Sequence, residues 1–474
     1  MKKFAFCALV AALVLALAVP AICETKIGGS YRIRGVYWDQ GLDKGKFGGT
    51  IPGVGRYFDN RLRLNIDSEV TDTLAVHVEA DSGLGYNGRN GDFQNPAATP
   101  DSYDGIWNSG GRFINVPEPL AADRDVNVVG HDIVFQQAYM DFATPIGAFS
   151  LGRQWSFWGM GLMVGENRNR LAWSYQMPEF QIGAGYDKFF EGDTNFGAFS
   201  KQDDQDNYFV WALYEGPNFQ LGPYFEYTHA DRITTLPFVG LEGVNVYGVS
   251  IYGNATFGPL ALAAEFAYRG GTADVLGGDI DFNSYAGVVR GTYELPYATV
   301  GGEGGYISGQ DPSETDEVQA FLTPWSFSPF AVLGELAING LDLLGNASYI
   351  TMGGSYSDFC SNMIYGKAFA QASPIPKLDA YVGVGYAVST EDVLLDNNNP
   401  LSGDRGSSLG AEIDLSLTYA ITPNLTYNFT GGYLFVGDFY DDANLATNIF
   451  GGGGLGTAEP EDAMLAVHSI TVNW

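Results

Sequence analysis

The chain has 474 residues, 24 Lys plus Arg against 55 Asp plus Glu, and a formal net charge of −31. So acidic a balance excludes a nucleic-acid partner, which would need a basic face. With 63 Gly, 28 Tyr and 31 Phe and a mean hydropathy of −0.03, the composition suits many strands and tight turns, where only every second residue meets an apolar surrounding.

Residues 1–23 read as a secretory signal. Lys2 and Lys3 give the positive start, Phe4 to Val19 the apolar run, and cleavage is expected after Ala21 or Cys23. The run falls short of the roughly 20 residues of a spanning helix. Residues 24–474 then form one domain. Its longest later apolar stretch, Pro329 to Leu344, is cut by Glu335 and Asp342, so no transmembrane helix is expected. Cys7 lies in the signal and Cys23 at its border, which leaves Cys360 without a disulfide framework.

The domain reads as a succession of hairpins. Short turns are expected at Thr71-Asp72-Thr73, Pro145, Pro178, Pro217, Pro259, Pro296, Pro374 to Pro376, and Pro423. Proline fixes φ for a turn and cannot donate within a sheet. Longer polar stretches lie between them at 40–55, 84–131, 157–169, 189–205, 229–243, 270–281, 308–360, 390–407 and 437–462. This alternation of short and long connections predicts about eighteen antiparallel strands with both termini on the short-turn side.

Residue alternation supports the strands. In 58–69, Phe58, Leu62, Leu64 and Ile66 share one face, and Arg61, Arg63, Asp67 and Glu69 the other. In 411–419, Ile413, Leu415, Leu417 and Tyr419 oppose Glu412 and Asp414. A soluble sandwich has the same period, but it needs only about seven to nine strands per domain, and no linker divides these. Two segments are irregular. In 148–156, Arg153 falls with Phe149, Leu151 and Trp155, so a bulge near Gly152 is expected to turn it inward. The 133–143 segment can be phased either way.

The last strand puts Met464, Ala466, His468, Ile470, Val472 and Trp474 on one face and ends on the aromatic. It resembles the closing strand of a bacterial outer-membrane β-barrel, in which the terminal aromatic, here Trp474, belongs to the signal read by the barrel-assembly machinery. That resemblance implies an all-β fold: a single transmembrane barrel in the outer membrane of a Gram-negative cell, with short periplasmic turns and long extracellular loops among lipid and lipopolysaccharide. Leu151-Gly152-Arg153-Gln154, followed by Trp158-Gly159-Met160-Gly161-Leu162, is similar to the Gly-Arg-Gln and Gly-rich pattern of porins of the alginate-export type. That family implies eighteen strands and an arginine-lined pore for an anionic solute, with Arg153, Arg168 and Arg170 in the lumen.

The expected pore lining is Arg32, Arg34, Arg61, Arg63, Asp67, Glu69, Glu79, Asp81, Arg153, Arg290, Glu412 and Asp414. Four arginines on adjacent strands make a basic ladder facing carboxylates, which selects permeants by charge; pairing that merely ties the strands together is the other reading. The first functional expectation is passive diffusion of small hydrophilic solutes and ions, with the acidic mouths favouring cations. The second is a substrate-selective channel for an anionic or sugar-like solute, and the third a structural or adhesive surface barrel. No cofactor, metal or enzymatic activity is expected, since His77, His131, His229 and His468 have no nucleophile and acid arranged around them in the pattern. Two loops, 84–131 and 308–360, carry apolar residues (Trp107, Phe113; Trp325, Phe330) suited to fold into the mouth or to pack on a neighbour. A monomer and a homotrimer are both open.

Overall fold

The computed structural model describes residues 24–39, 54–82, 134–190, 205–233, 241–275, 278–311, 314, 316–324, 327–333, 360–391, 406–438 and 462–474. The signal segment, the whole 84–131 loop with Trp107 and Phe113, and Trp325 of the second loop lie outside these residues. The elements are β1 (Glu24–Asp39), β2 (Val54–Thr71), β3 (Leu74–Ser82), β4 (Val134–Thr144), β5 (Gly147–Phe157), β6 (Gly165–Gln176), β7 (Phe180–Phe190), β8 (Gln205–Glu215) and β9 (Phe219–Ile233). They continue as β10 (Leu241–Phe257), β11 (Leu260–Val275), β12 (Gly278–Leu295), β13 (Ala298–Ile307), β14 (Glu317–Val318), β15 (Met363–Ile375), β16 (Leu378–Val388), β17 (Ser408–Thr422), β18 (Leu425–Val436) and β19 (Ala463–Asn473).

Each wall strand pairs antiparallel with its sequence neighbours, and β1 pairs with both β2 and β19, so the sheet closes on itself. β13 pairs directly with β15. The two-residue β14 runs parallel to β12 and belongs to the long β13–β15 connection. The wall is therefore an eighteen-stranded barrel, and all eight expected short turns join consecutive strands. The closing seam is made by the chain end: Gly29 and Trp474 exchange both backbone hydrogen bonds at 3.1 Å.

Period-two alternation decides which face each residue takes. Ile33, Leu62, Leu64, Leu171, Val210, Ile251, Val289, Val384, Ile413 and Ile470 are exposed on the outside, as a lipid-facing band requires. Phe180, Phe219, Phe257, Tyr293, Tyr297 and Trp474 are exposed near the short-turn rim. Tyr208, Tyr247, Tyr285, Tyr386, Tyr433 and Phe435 are exposed near the opposite rim, which gives two aromatic girdles. His468 is on the outer face, its ring centroid 6.5 Å from that of Tyr427.

The structure corrects four expectations. Gly152 has φ of +126°, yet pairing stays in step through Tyr139↔Gly152, Ala138↔Arg153 and Arg153↔Asn169. With no inserted residue there is no phase switch, so the register leaves Arg153 on the outer face with Leu151 and Trp155 rather than in the pore lining. The extra residue sits instead at Gln136, where the β3–β4 register shifts. The 157–169 stretch is not a long outer loop, since β6 begins at Gly165. Likewise 229–243 and 270–281 are mostly strand: β9 runs to Ile233, β11 to Val275, and β12 starts at Gly278.

Candidate functional site: a barrel lumen filled by two loops

On the inner face of β1 and β2, Arg32 stands directly opposite Arg61, and Ser30 opposite Arg63. Arg63 reaches β3, donating to both oxygens of the buried Asp81 at 2.7 and 2.8 Å and lying 2.8 Å from Glu79. Arg61 is 3.9 Å from Asp81. Arg34 is buried one step along β1. Thus Arg63, Glu79 and Asp81 form a cross-strand tie, while Arg32 and Arg61 place two like charges side by side, an arrangement that costs stability in a sheet. Asp67 and Glu69 lie nearer the short-turn rim, where Asp67 holds His77 Nδ1 at 2.7 Å. His77 Nε2 lies 3.5 Å from Asp141, and its ring stacks on Tyr139 with 4.7 Å between centroids.

A second charged cluster lies on β6 to β9. Asp187 is fully buried and accepts from Arg170 through both oxygens at 2.6 and 2.8 Å, from Arg168 at 3.1 Å and from Asn207 at 3.3 Å. Arg168 also reaches Glu166 at 3.0 Å and Glu226 at 3.3 Å, while Arg170 lies 4.1 Å over the Phe209 ring. Arg168 and Arg170 are thus on the inner face. Arg290 pairs with Glu303, which also takes the Tyr365 hydroxyl at 3.0 Å and Lys367 at 3.2 Å.

Two loop segments are held inside the barrel by β11, β15 and β17. Residues 158–164 turn inward after β5: Met160 and Leu162 donate their N–H groups to Glu265 on β11 at 2.6 and 3.3 Å. From the β13–β15 connection, Val332 and Leu333 donate to the two oxygens of Glu412 at 2.5 and 2.8 Å, and Ala331 donates to Asp414 at 3.4 Å. The carbonyls of the same connection are met by cations, Lys367 on Pro329 and Arg269 on Leu322, each at 2.6 Å. Wall carboxylates thus take loop N–H groups and wall cations take loop carbonyls. This satisfies backbone groups that would be costly if buried unpaired.

The loops' apolar side chains meet in the middle. Trp158, Leu162, Met163 and Val164 join Phe321, Phe327, Phe330, Val332 and Leu333 in one buried cluster with Phe209, Tyr224 and Tyr365 of the wall. The lumen therefore contains an apolar core, where period-two reading predicts a polar channel. Glu412 and Asp414, expected as bare pore lining, serve here as anchors for a loop. The sequence carried a partial signal of this: Trp158 and Leu162 to Val164 are apolar residues in a segment otherwise suited to water.

Cys360 is buried against the Phe327 carbonyl and the Thr323 region of the same connection, and burial pushes its thiol up to about 12. Because the thiolate is the reactive form, maleimide is expected to leave Cys360 unlabelled in the folded barrel between pH 7 and about 9 and to label it fully after unfolding in urea. Rapid labelling of the folded protein would show that the connection opens.

Residues 197–450 match the family model described as alginate export, over half of the chain. The chain belongs to the alginate-export family. No curated protein matches it in sequence. Among solved structures it is similar to OccK9 (OpdG) of Pseudomonas aeruginosa, at 11% identity and a TM-score of 0.51, covering 95% of this chain and 99% of that one. It is also similar to OpdQ of the same organism, at 11% identity and TM-score 0.50 over 94% and 98%. OccAB4 of Acinetobacter baumannii gives 11% and 0.50 over 95% and 98%. At that identity the likeness speaks for the barrel fold. Family and fold together make this chain an outer-membrane β-barrel of the porin and channel type.

Proposed function

We propose that this member of the alginate-export family is a passive channel for small hydrophilic solutes, selective for those bearing a carboxylate. One observation carries this reading: Arg32 and Arg61 face each other across β1 and β2, with the buried Arg34 beside them on the same inner face. Two guanidinium groups in register concentrate positive charge along this strip of the wall, which attracts a carboxylate moving past it. Several carboxylates elsewhere on the wall are already committed to loop N–H groups or to arginines, which lowers their pull on cations in the constriction. The family's description, alginate export, names an anionic polysaccharide, in keeping with this choice.

The net charge of −31 favours a second reading, a general diffusion pore whose acidic mouths enrich cations. Reversal potential in a salt gradient across a planar bilayer separates the two. The first predicts small anion-favouring steps, reduced by added glucuronate, and a shift towards cations in Arg32→Gln/Arg61→Gln. Large ohmic cation-favouring steps would replace it with the second. A folded barrel that passes no current would leave the structural or adhesive role.

A further inference from the structure

The geometry points to the turn Trp158-Gly159-Met160-Gly161-Leu162 as a carboxylate-binding nest whose resident anion is the protein's own Glu265. It follows that Glu265 is the positioning residue for this side of the constriction. Gly159 and Gly161 both have positive φ, +58° and +91°, a backbone that L side chains adopt at a cost. They flank Met160 and turn its N–H and that of Leu162 towards one point, the concave arrangement of backbone donors that holds anions in proteins. At that point is Oε2 of Glu265, 2.6 Å from the Met160 nitrogen and 3.3 Å from that of Leu162. Its other oxygen, Oε1, takes the Ser250 hydroxyl at 2.8 Å.

The turn is itself closed by Gly161 N–H donating to the Trp158 carbonyl at 2.9 Å and Trp158 N–H donating to the Val164 carbonyl at 3.1 Å. A Cβ on Gly159 would come within 2.7 Å of Glu265 Oε2 and 3.1 Å of Tyr252. The second glycine-dependent contact is on the wall, where a Cβ on Gly248 would meet the Met163 methyl at 2.2 Å. The carboxylate is only 2% exposed and comes from a strand 105 residues along the chain. The turn therefore stays inside the barrel because an anion fills it, and the anion reaches across from β11. Being tethered, Glu265 acts at a high effective concentration, so a dissolved carboxylate does not displace it from the native protein.

Removing the tether makes the nest a site for a free ligand. Glu265→Ala leaves a space close in size and shape to acetate, lined by the same donors. Hydrogen exchange of the amides in 158–164, followed by mass spectrometry on the barrel in detergent, reads the nest directly. Exchange at Met160 and Leu162 is expected to be about tenfold or more faster in Glu265→Ala, since charge-assisted hydrogen bonds are lost. Rising acetate should restore protection in that variant, whereas chloride at equal ionic strength should not, and the native protein should respond to neither. Gly161→Ala keeps Glu265 but strains the turn. It should exchange as fast and gain nothing from acetate, which covers the case in which Glu265→Ala does not fold.

Unchanged exchange in both variants, or lost protection that acetate does not restore, would overturn the nest. The consequence for conductance rests on the channel reading above: Glu265→Ala should pass larger current steps that acetate returns to the native level. A silent barrel with acetate-restored protection would keep the nest and remove the channel. Conducting variants with native exchange would do the reverse.

Discussion

Asp187→Ala is expected to lower the stability of the folded barrel by about 3–5 kcal/mol, the range found when one partner of a buried ion pair is removed. Asp187 is fully buried and accepts four hydrogen bonds, two from Arg170 and one each from Arg168 and Asn207. Without it Arg170 loses its bidentate partner, and Arg168, 4% exposed, loses one of the carboxylates around it while keeping Glu166 and Glu226. Asp187→Asn keeps one acceptor oxygen and should fall between. The comparison is Lys188 with Asp206, 3.0 Å apart but with side chains 22% and 26% exposed; loss of that partly solvated pair should cost about 0–1 kcal/mol. Urea unfolding in lipid vesicles, followed by the heat-modifiable shift on gels, measures both. Equal losses for the two would mean that water reaches the Asp187 cluster.

Glu412→Ala is expected to free the β13–β15 connection from the wall and to add larger, flickering current levels to the channel. Glu412 receives Val332 and Leu333 N–H groups at 2.5 and 2.8 Å, and at roughly 0.5–1.5 kcal/mol for each hydrogen bond the two together contribute up to about 3 kcal/mol. A loss of about 3 kcal/mol shifts the docked-to-undocked ratio by about 100-fold, so the loop would leave the lumen for part of the time. Lys367 on Pro329, Arg269 on Leu322 and the apolar packing of Phe330 and Val332 remain, which makes the change intermittent rather than complete. Glu412→Gln, with one carbonyl oxygen left, should flicker less. Steps as small and quiet as those of the native protein would place the loop away from the ion path.

The wall was legible because its signals are local. Proline or Thr-Asp-Thr marked every short turn, and strands such as 58–69 and 411–419 repeat strictly in their membrane-crossing parts. Strand ends were harder to read, since above the lipid both faces meet water and the apolar alternation disappears, as at Asp279 and Asp281 of β12, both exposed. Gly270 and Gly271 looked like loop, yet Gly270 lies under the Tyr247 and Tyr268 rings, where a Cβ would come within 2.8 Å of either hydroxyl. Arg153 was misplaced because a glycine beside it suggested a bulge, and only pairing on both sides shows that none forms. The lumen was the least legible part. Whether Glu412 or Glu265 faces water or a loop depends on where a segment about 80 or 105 residues away in sequence comes to rest, and no short-range pattern records that.

The seam between β1 and β19 has a consequence for biogenesis. Its partners, such as Ser30 with Asn473 and Arg34 with Ser469, lie on strands more than 400 residues apart, β1 and β19, so the cylinder cannot close until β19 has been delivered. Contacts of such separation form late because a large loop entropy precedes their reward. Both lumen loops are held by strands far along the chain, on β11 and β17. Before β17 is in place a nascent barrel is thus an open sheet without the anchor of its second lumen loop, and the cylinder closes only when β19 meets β1.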